Sequence, residues 1–206
     1  NRVLYVNRPL DRLSKYKNRN NQQTKNRLES IKYGKNSLTE LTSNLWILNP
    51  RLILESINFL PPGKIYNFLN KRNNKKLAHE ILCTCKELNF KEPILLIDDD
   101  FFNGLYLKDF IKPSLFIYYI RDFLLSQKYF VKHGFTSEPL IIKKADAVAA
   151  NSKYLADYAA KYNDHSADIG QGCEVDEFIA VPAAMPSDIS IIQFPVIGYC
   201  GSLTST

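Results

Sequence analysis

Of the residue types that most often advertise chemistry, the 206 residues hold few: eight glycines, four cysteines, three histidines and one tryptophan. With so little glycine there is no Gly-x-Gly-x-x-Gly, no P-loop and no Gly-x-Ser-x-Gly elbow, so dinucleotide enzymes, P-loop ATPases and serine hydrolases lose their usual markers. The histidines are scattered: His79 within a predicted helix, His133 before a glycine, His165 in a polar loop, and no two share a metal-ligand spacing. Cys83 and Cys85 stand two apart on a helix and point in different directions, with no second pair to complete a zinc site. With Cys173 and Cys200 they read as free thiols of a reducing compartment. No apolar run approaches the roughly 20 residues of a spanning helix.

What remains is an ordinary globular composition, 45% hydrophobic and 23% charged. The net charge of +6 is concentrated: between Arg8 and Lys35 stand nine basic residues against two acids, Asp11 and Glu29. A solvated surface and a patch facing anionic lipid or a phosphorylated substrate both fit that segment. Nucleic acid is not expected as a partner, because no recognition module accompanies the charge. The chain opens at Asn1 in a strand-like run and stops at Thr206 after another, so it reads as a fragment of a longer protein.

Strand-like segments are Arg2 to Asn7, Asn44 to Asn49, Pro93 to Ile97, Ser114 to Ile120, Ala147 to Ala150 and Ala167 to Ile169. A long helix is expected from Lys64 to Asn89, bent or divided by the basic, Asn-rich patch Lys71 to Lys76. Between the first two strands, Gly34 and many asparagines predict a long loop with at most one irregular helix near Thr24 to Lys32. Gly134 breaks an aromatic stretch, and Ser137-Glu138-Pro139 reads as a helix start ending near Lys144. Asn151-Ser152 caps a helix over Lys153 to Tyr162. This alternation of strand and helix implies an α/β fold, a Rossmann-like doubly wound parallel sheet, over residues 1–180. Residues 181–206 read as a linker and the first strand of a further domain.

In such sheets ligands bind at the carboxyl ends of the strands. Two charged groups stand there. Asp98-Asp99-Asp100 can hold a divalent metal against a diphosphate, or simply open a turn into solvent. In Arg121-Asp122 the carboxylate can take a proton from a hydroxyl nucleophile while the guanidinium binds phosphate; a local ion pair at the sheet edge is the plainer alternative.

From Tyr118 to Gly201 the order of features resembles the amino-terminal domain of GT-B glycosyltransferases of the family 4, or group 1, type. The residues that carry the likeness are Arg121-Asp122 after an apolar strand, Glu138, Lys144-Ala145-Asp146, Ser152, Gly170-Gln171-Gly172-Cys173-Glu174 with Phe178, and Ile197-Gly198-Tyr199-Cys200-Gly201. The chain departs where the family often has histidine (Arg121), asparagine (Gln171) and aspartate (Glu174), which leaves Asp122 the better candidate for a catalytic role. The resemblance implies transfer of a sugar from a nucleotide-sugar to a hydroxyl of a saccharide or lipid-linked acceptor, in polysaccharide or glycolipid synthesis, without a metal or other cofactor. It implies a catalytic Asp122, acceptor or phosphate contacts from Arg121, Glu138 and Ser152, and an interdomain cleft bordered by Gly172, Glu174, Gly198 and Gly201. The same likeness implies work in the cytoplasm, at the inner membrane face, where the charge of the Arg8 to Lys35 segment makes it the candidate peripheral contact. The chain alone is expected not to turn over, since most donor-binding residues belong to the second domain. Two other readings stand beside it: a metal-dependent GT-A transferase using Asp98 to Asp100, and a non-catalytic Rossmann-like binding module.

Overall fold

A computed structural model describes residues 2–17, 20–34, 36–172, 175–176 and 193. The chain divides into two compact units, Asn1–Gln171 and Gly172–Thr206. The boundary expected at 180, the linker and the strand expected from Phe194 lie outside the described residues.

The first strand, β1 (Val3–Val6), is followed by the two-residue β2 (Leu10–Asp11), helices α1 (Arg12–Lys17) and α2 (Gln22–Tyr33), and strands β3 (Leu38–Thr42), β4 (Leu45–Leu48) and β5 (Ile53–Leu54). β1 pairs in parallel with β4, β3 lies antiparallel on the other side of β4, and β2 pairs with β5. The predicted long loop is thus mostly helix: α2 covers the stretch from Thr24 to Lys32 where one irregular helix was allowed, and α1 was not expected. Asn21, read as a loop former, sits at the start of α2, where its side chain accepts the Thr24 N–H at 3.4 Å and its carbonyl the Lys25 N–H. Asparagine at a helix N-cap favours the helix it begins. β3 was hidden because Leu38 is its only residue that is not exposed, the pattern of a polar edge strand.

Helix α3 (Lys64–Glu87) runs unbroken through the Asn-rich patch. Its buried face is partly amide: Asn73 bonds both backbone groups of Glu55, and Asn74 donates to Phe102 O at 3.1 Å and accepts from Tyr106 N at 3.0 Å. Asparagines that sequence rules assign to breaks here replace backbone partners between elements.

Beyond α3 the order is β6 (Ile94–Asp98), α4 (Phe101–Gly104), α5 (Leu107–Ile111), β7 (Leu115–Ile120), a 3-10 turn (Leu124–Ser126), α6 (Lys128–Lys144), β8 (Ala147–Ala150), α7 (Lys153–Ala160) and β9 (Ser166–Asp168). These four strands form an all-parallel sheet in the order β6-β7-β8-β9. The α/β class and the parallel sheet are as expected. A doubly wound sheet also reverses its strand order, and among the described strands the order runs one way only. Right-handed crossovers in one direction put their helices on one face. Phe116, Tyr118, Ile120, Val148 and Ala150 are accordingly sealed with Ile141, Ile142 and Ala159 in one core, while Ile94 and Leu96 on the other face are 63% and 56% exposed.

Helix α6 corrects two readings. Gly134 does not break it: a Cβ there would lie 2.5 Å from Leu125 Cδ2 and 3.0 Å from Phe101 Cζ, so glycine is the residue that lets α6 approach the 3-10 turn and α4. Ser137-Glu138-Pro139 does not start it either, since all three lie inside. Pro139 leaves the Phe135 carbonyl without its helical donor, and Phe135 is largely exposed, so solvent can satisfy that oxygen.

Candidate functional site

The register of the parallel sheet decides which residues share its carboxyl edge. Asp98 stands opposite Tyr119, Ile120 opposite Ala150, and Ala150 opposite Asp168. The segments that leave these strands, Asp99-Asp100, Arg121-Asp122, Asn151-Ser152 and Ile169-Gly170, therefore line one edge. The two charged groups that the sequence offered separately become one constellation.

Asp99 joins them. It sits one residue past β6 at φ 52°, a left-handed conformation that aspartate tolerates better than most side chains. Its Oδ2 accepts the backbone N–H groups of Arg121 and Asp122, each at 3.1 Å. Its Oδ1 is buried with no hydrogen-bond partner. Burial drives its pKa up to about 6 against the opposing pull of those two N–H groups, with the charges of Asp98 and Asp122 adding to the rise.

Arg121 turns away from Asp122 and donates from Nε to Asp98 Oδ1 at 2.7 Å, across the strand boundary. The charge of Asp98 holds the guanidinium's pKa above its usual value. The local Arg121–Asp122 ion pair is therefore not formed; Asp122 stands exposed on a turn that Asp99 fixes. Asp100 does a third job, capping α4 through Asn103 N at 2.9 Å. The three acids of the triplet have different partners, and among the described residues no cluster of acids, histidines or cysteines converges as a metal site.

Glu138 lies beneath this edge rather than on it. It is 1% exposed, bonded by Tyr158 OH at 3.0 Å and by Tyr118 OH at 3.4 Å. Burial raises its pKa to about 7, the two tyrosine bonds oppose that, and the charge of Asp99 adds to it. In this position it cannot touch an acceptor; it fixes the two tyrosines under the edge. The sequence offered no sign of Tyr118 and Tyr158 as its partners, although Tyr118 falls on the sealed face with Phe116 and Ile120.

Ser152 is at the N-cap position of α7 but makes no capping bond, so its half-buried hydroxyl is available at the edge. Gly172 is exposed, and a Cβ added there would meet nothing within 4 Å. Glu174, Gly198 and Gly201 lie outside the described residues. The Lys144-Ala145-Asp146 turn is at the opposite, amino edge: Asp146 accepts Phe116 N at 2.8 Å and pairs with Lys108, and Lys144 pairs with Asp109. Those contacts staple helices to strands and belong to no site.

Comparison with protein-family models, curated proteins and solved structures finds no match to this chain.

Away from this edge a concavity of about 320 Å³ lies where α3 begins, between Gly63, Tyr66, Leu105, His133 and Ser137. Tyr66 and His133 stack there with centroids 3.7 Å apart. The His133 Nε2 is 3.2 Å from Asn58 O, which can only accept, so that nitrogen carries the proton.

Proposed function

We propose that the chain is the acceptor-side domain of a GT-B type glycosyltransferase, which moves a sugar from a nucleotide-sugar to an acceptor hydroxyl. The observation that carries this reading is the Arg121-Asp122 turn, clamped at the carboxyl end of a parallel strand with the Asp122 carboxylate left to solvent. In this reading Asp122 takes the proton of the acceptor hydroxyl as its oxygen bonds the sugar's anomeric carbon and the bond to the diphosphate breaks. Arg121, oriented by Asp98, and the Ser152 hydroxyl bind polar groups of the acceptor. Asp99 and Glu138 hold the frame, Asp99 through the turn and Glu138 through Tyr118 and Tyr158.

The separate commitments of Asp98, Asp99 and Asp100 weigh against the metal-dependent GT-A reading. A shared cation would have to draw Asp98 from Arg121 and Asp99 from two backbone N–H groups.

Titration of the isotope-labelled chain with short saccharides, free and lipid-phosphate-linked, tests the placement. Amide shifts are expected to cluster at Asp99, Arg121, Asp122 and Ser152. Saturable shifts confined to other elements, or none with any acceptor, would overturn it.

A further inference from the structure

The first turns of α3 present an unusual solvent face. From Lys64 to Lys76 the helix carries five basic residues and no acid. Lys64, Lys71, Arg72 and Lys75 are exposed, and they alternate with Ile65 and Phe68, 72% and 67% exposed, at the three- and four-residue spacings of one helix face. The opposite face is anchored by Tyr66, Asn70, Asn73 and Asn74. Large apolar side chains are thus outside by construction, because turning them inward would expose the amide face that bonds the rest of the fold.

The loop before α3 adds a third apolar group. Phe59 is 67% exposed, yet its backbone is held: Lys132 Nζ donates to Phe59 O at 2.7 Å, His133 holds Asn58 O, and Asn58 Nδ2 donates to Tyr129 OH at 2.8 Å. A ring held in water by a fixed loop, five residues before Lys64, adds an exposed apolar group just ahead of the helix.

We propose that this surface, the exposed face of α3 from Lys64 to Lys76 with the Phe59 loop, docks on an anionic lipid bilayer. Cations on a helix face draw it to acidic headgroups, and the rings then enter the boundary between headgroups and chains. A purely polyanionic partner would use the charge and leave the three apolar groups wet. The basic segment from Arg8 to Lys35 is the weaker surface, because Asp11 and Glu29 interrupt it and Arg12 is paired with Glu55.

The surface also lies toward the acceptor edge. Asn74 is bonded to Phe102 and Tyr106, just past the end of β6, so Tyr66 stands roughly 12 Å further along the helix axis. Delivery of a lipid-linked acceptor to Asp122 rests on the glycosyltransferase reading; bilayer binding does not.

The test uses the purified chain with vesicles of phosphatidylcholine alone and of phosphatidylcholine mixed with phosphatidylglycerol. Binding is expected to the anionic vesicles only and to fall with salt. Replacing Lys71, Arg72, Lys75 and Lys76 together by glutamine should lower partitioning at least about 100-fold, and Phe68→Ser should lower it about 10-fold with the fold's melting curve unchanged. A Phe68→Trp variant should show blue-shifted emission, quenched by brominated lipid chains. Equal loss on replacing Lys15, Lys25 and Lys32 by glutamine would overturn the proposal, since general charge would then be enough. So would binding unaffected by Phe68→Ser, no binding to either vesicle, or a self-association of the chain that Phe68→Ser abolishes. Vesicle binding without saccharide shifts would sink the acceptor reading and leave this one standing.

Discussion

One carboxylate oxygen of Asp99 accepts the N–H groups of both Arg121 and Asp122 at 3.1 Å, so the end of one strand fixes the turn that leaves its neighbour. The acid that looked like a metal ligand is a clamp. The side chain presented to solvent is the one that follows it in the constellation, Asp122.

Replacing Asp99 by alanine removes both acceptor bonds at once. Amide exchange at Arg121 and Asp122 is expected to speed by at least about tenfold, for a loss on the order of 1–3 kcal/mol locally. Asp99→Asn keeps one acceptor oxygen and should restore most of the protection. Unchanged exchange in Asp99→Ala would show that the turn is held by something else.

Glu138 makes the fold sensitive to pH near neutrality. Its pKa is raised from an ordinary carboxyl value to about 7, so the folded state holds the proton that the unfolded chain gives up. The stability gained in this way is complete below the unfolded value near 4.5 and is lost as pH rises through about 7. Between these limits the loss is on the order of 3 kcal/mol. Melting temperatures of the wild-type chain should therefore fall from pH 6 to pH 8, and those of Glu138→Gln should fall much less. Parallel curves for the two would contradict the assignment of the proton.

Much of the parallel half of the fold was legible, because Ile94 to Ile97 and Leu115 to Ile120 are continuous apolar runs, although only one face of these strands is sealed and Ile94 and Leu96 stay largely exposed. The polar edge strand β3 was not, since it has no apolar face of any length, and helix α2 was legible only as the one irregular helix allowed near Thr24 to Lys32. The asparagines of α3 misled as well. Composition assigns them to breaks, and only the neighbouring backbone groups of Glu55, Phe102 and Tyr106 explain them. At the site, the sequence supplied the residues but not the pairings: Arg121 with Asp98, Asp99 with the turn, and Glu138 with two tyrosines are all contacts between elements at least 20 residues apart.

Gly134 tests the packing of α6. In Gly134→Ala the new methyl meets Leu125 Cδ2 at 2.5 Å, and the approach of α6 to the 3-10 turn must open. Urea unfolding should show a loss of about 1–3 kcal/mol, against the gain that alanine normally brings to a helix interior. A stabilised Gly134→Ala would refute the close approach.

The amide bridge of α3 is tested by contrast. Asn74→Ala strands the Tyr106 N–H and the Phe102 carbonyl and should cost about 2–4 kcal/mol. Asn67→Ala, on the exposed side of the same helix, should change stability by less than about 0.5 kcal/mol. Equal effects would mean that Asn74 acts through helix propensity alone.

The most direct test of the account is sugar transfer itself, measured in the complete gene product that carries this chain. With labelled nucleotide-sugars and saccharide or lipid-linked acceptors, the wild type is expected to transfer sugar, and Asp122→Asn to reduce the rate about 100-fold or more with the fold intact. Transfer at the wild-type rate by Asp122→Asn would contradict the role given to that carboxylate, and no transfer from any nucleotide-sugar by the wild type would contradict the function proposed.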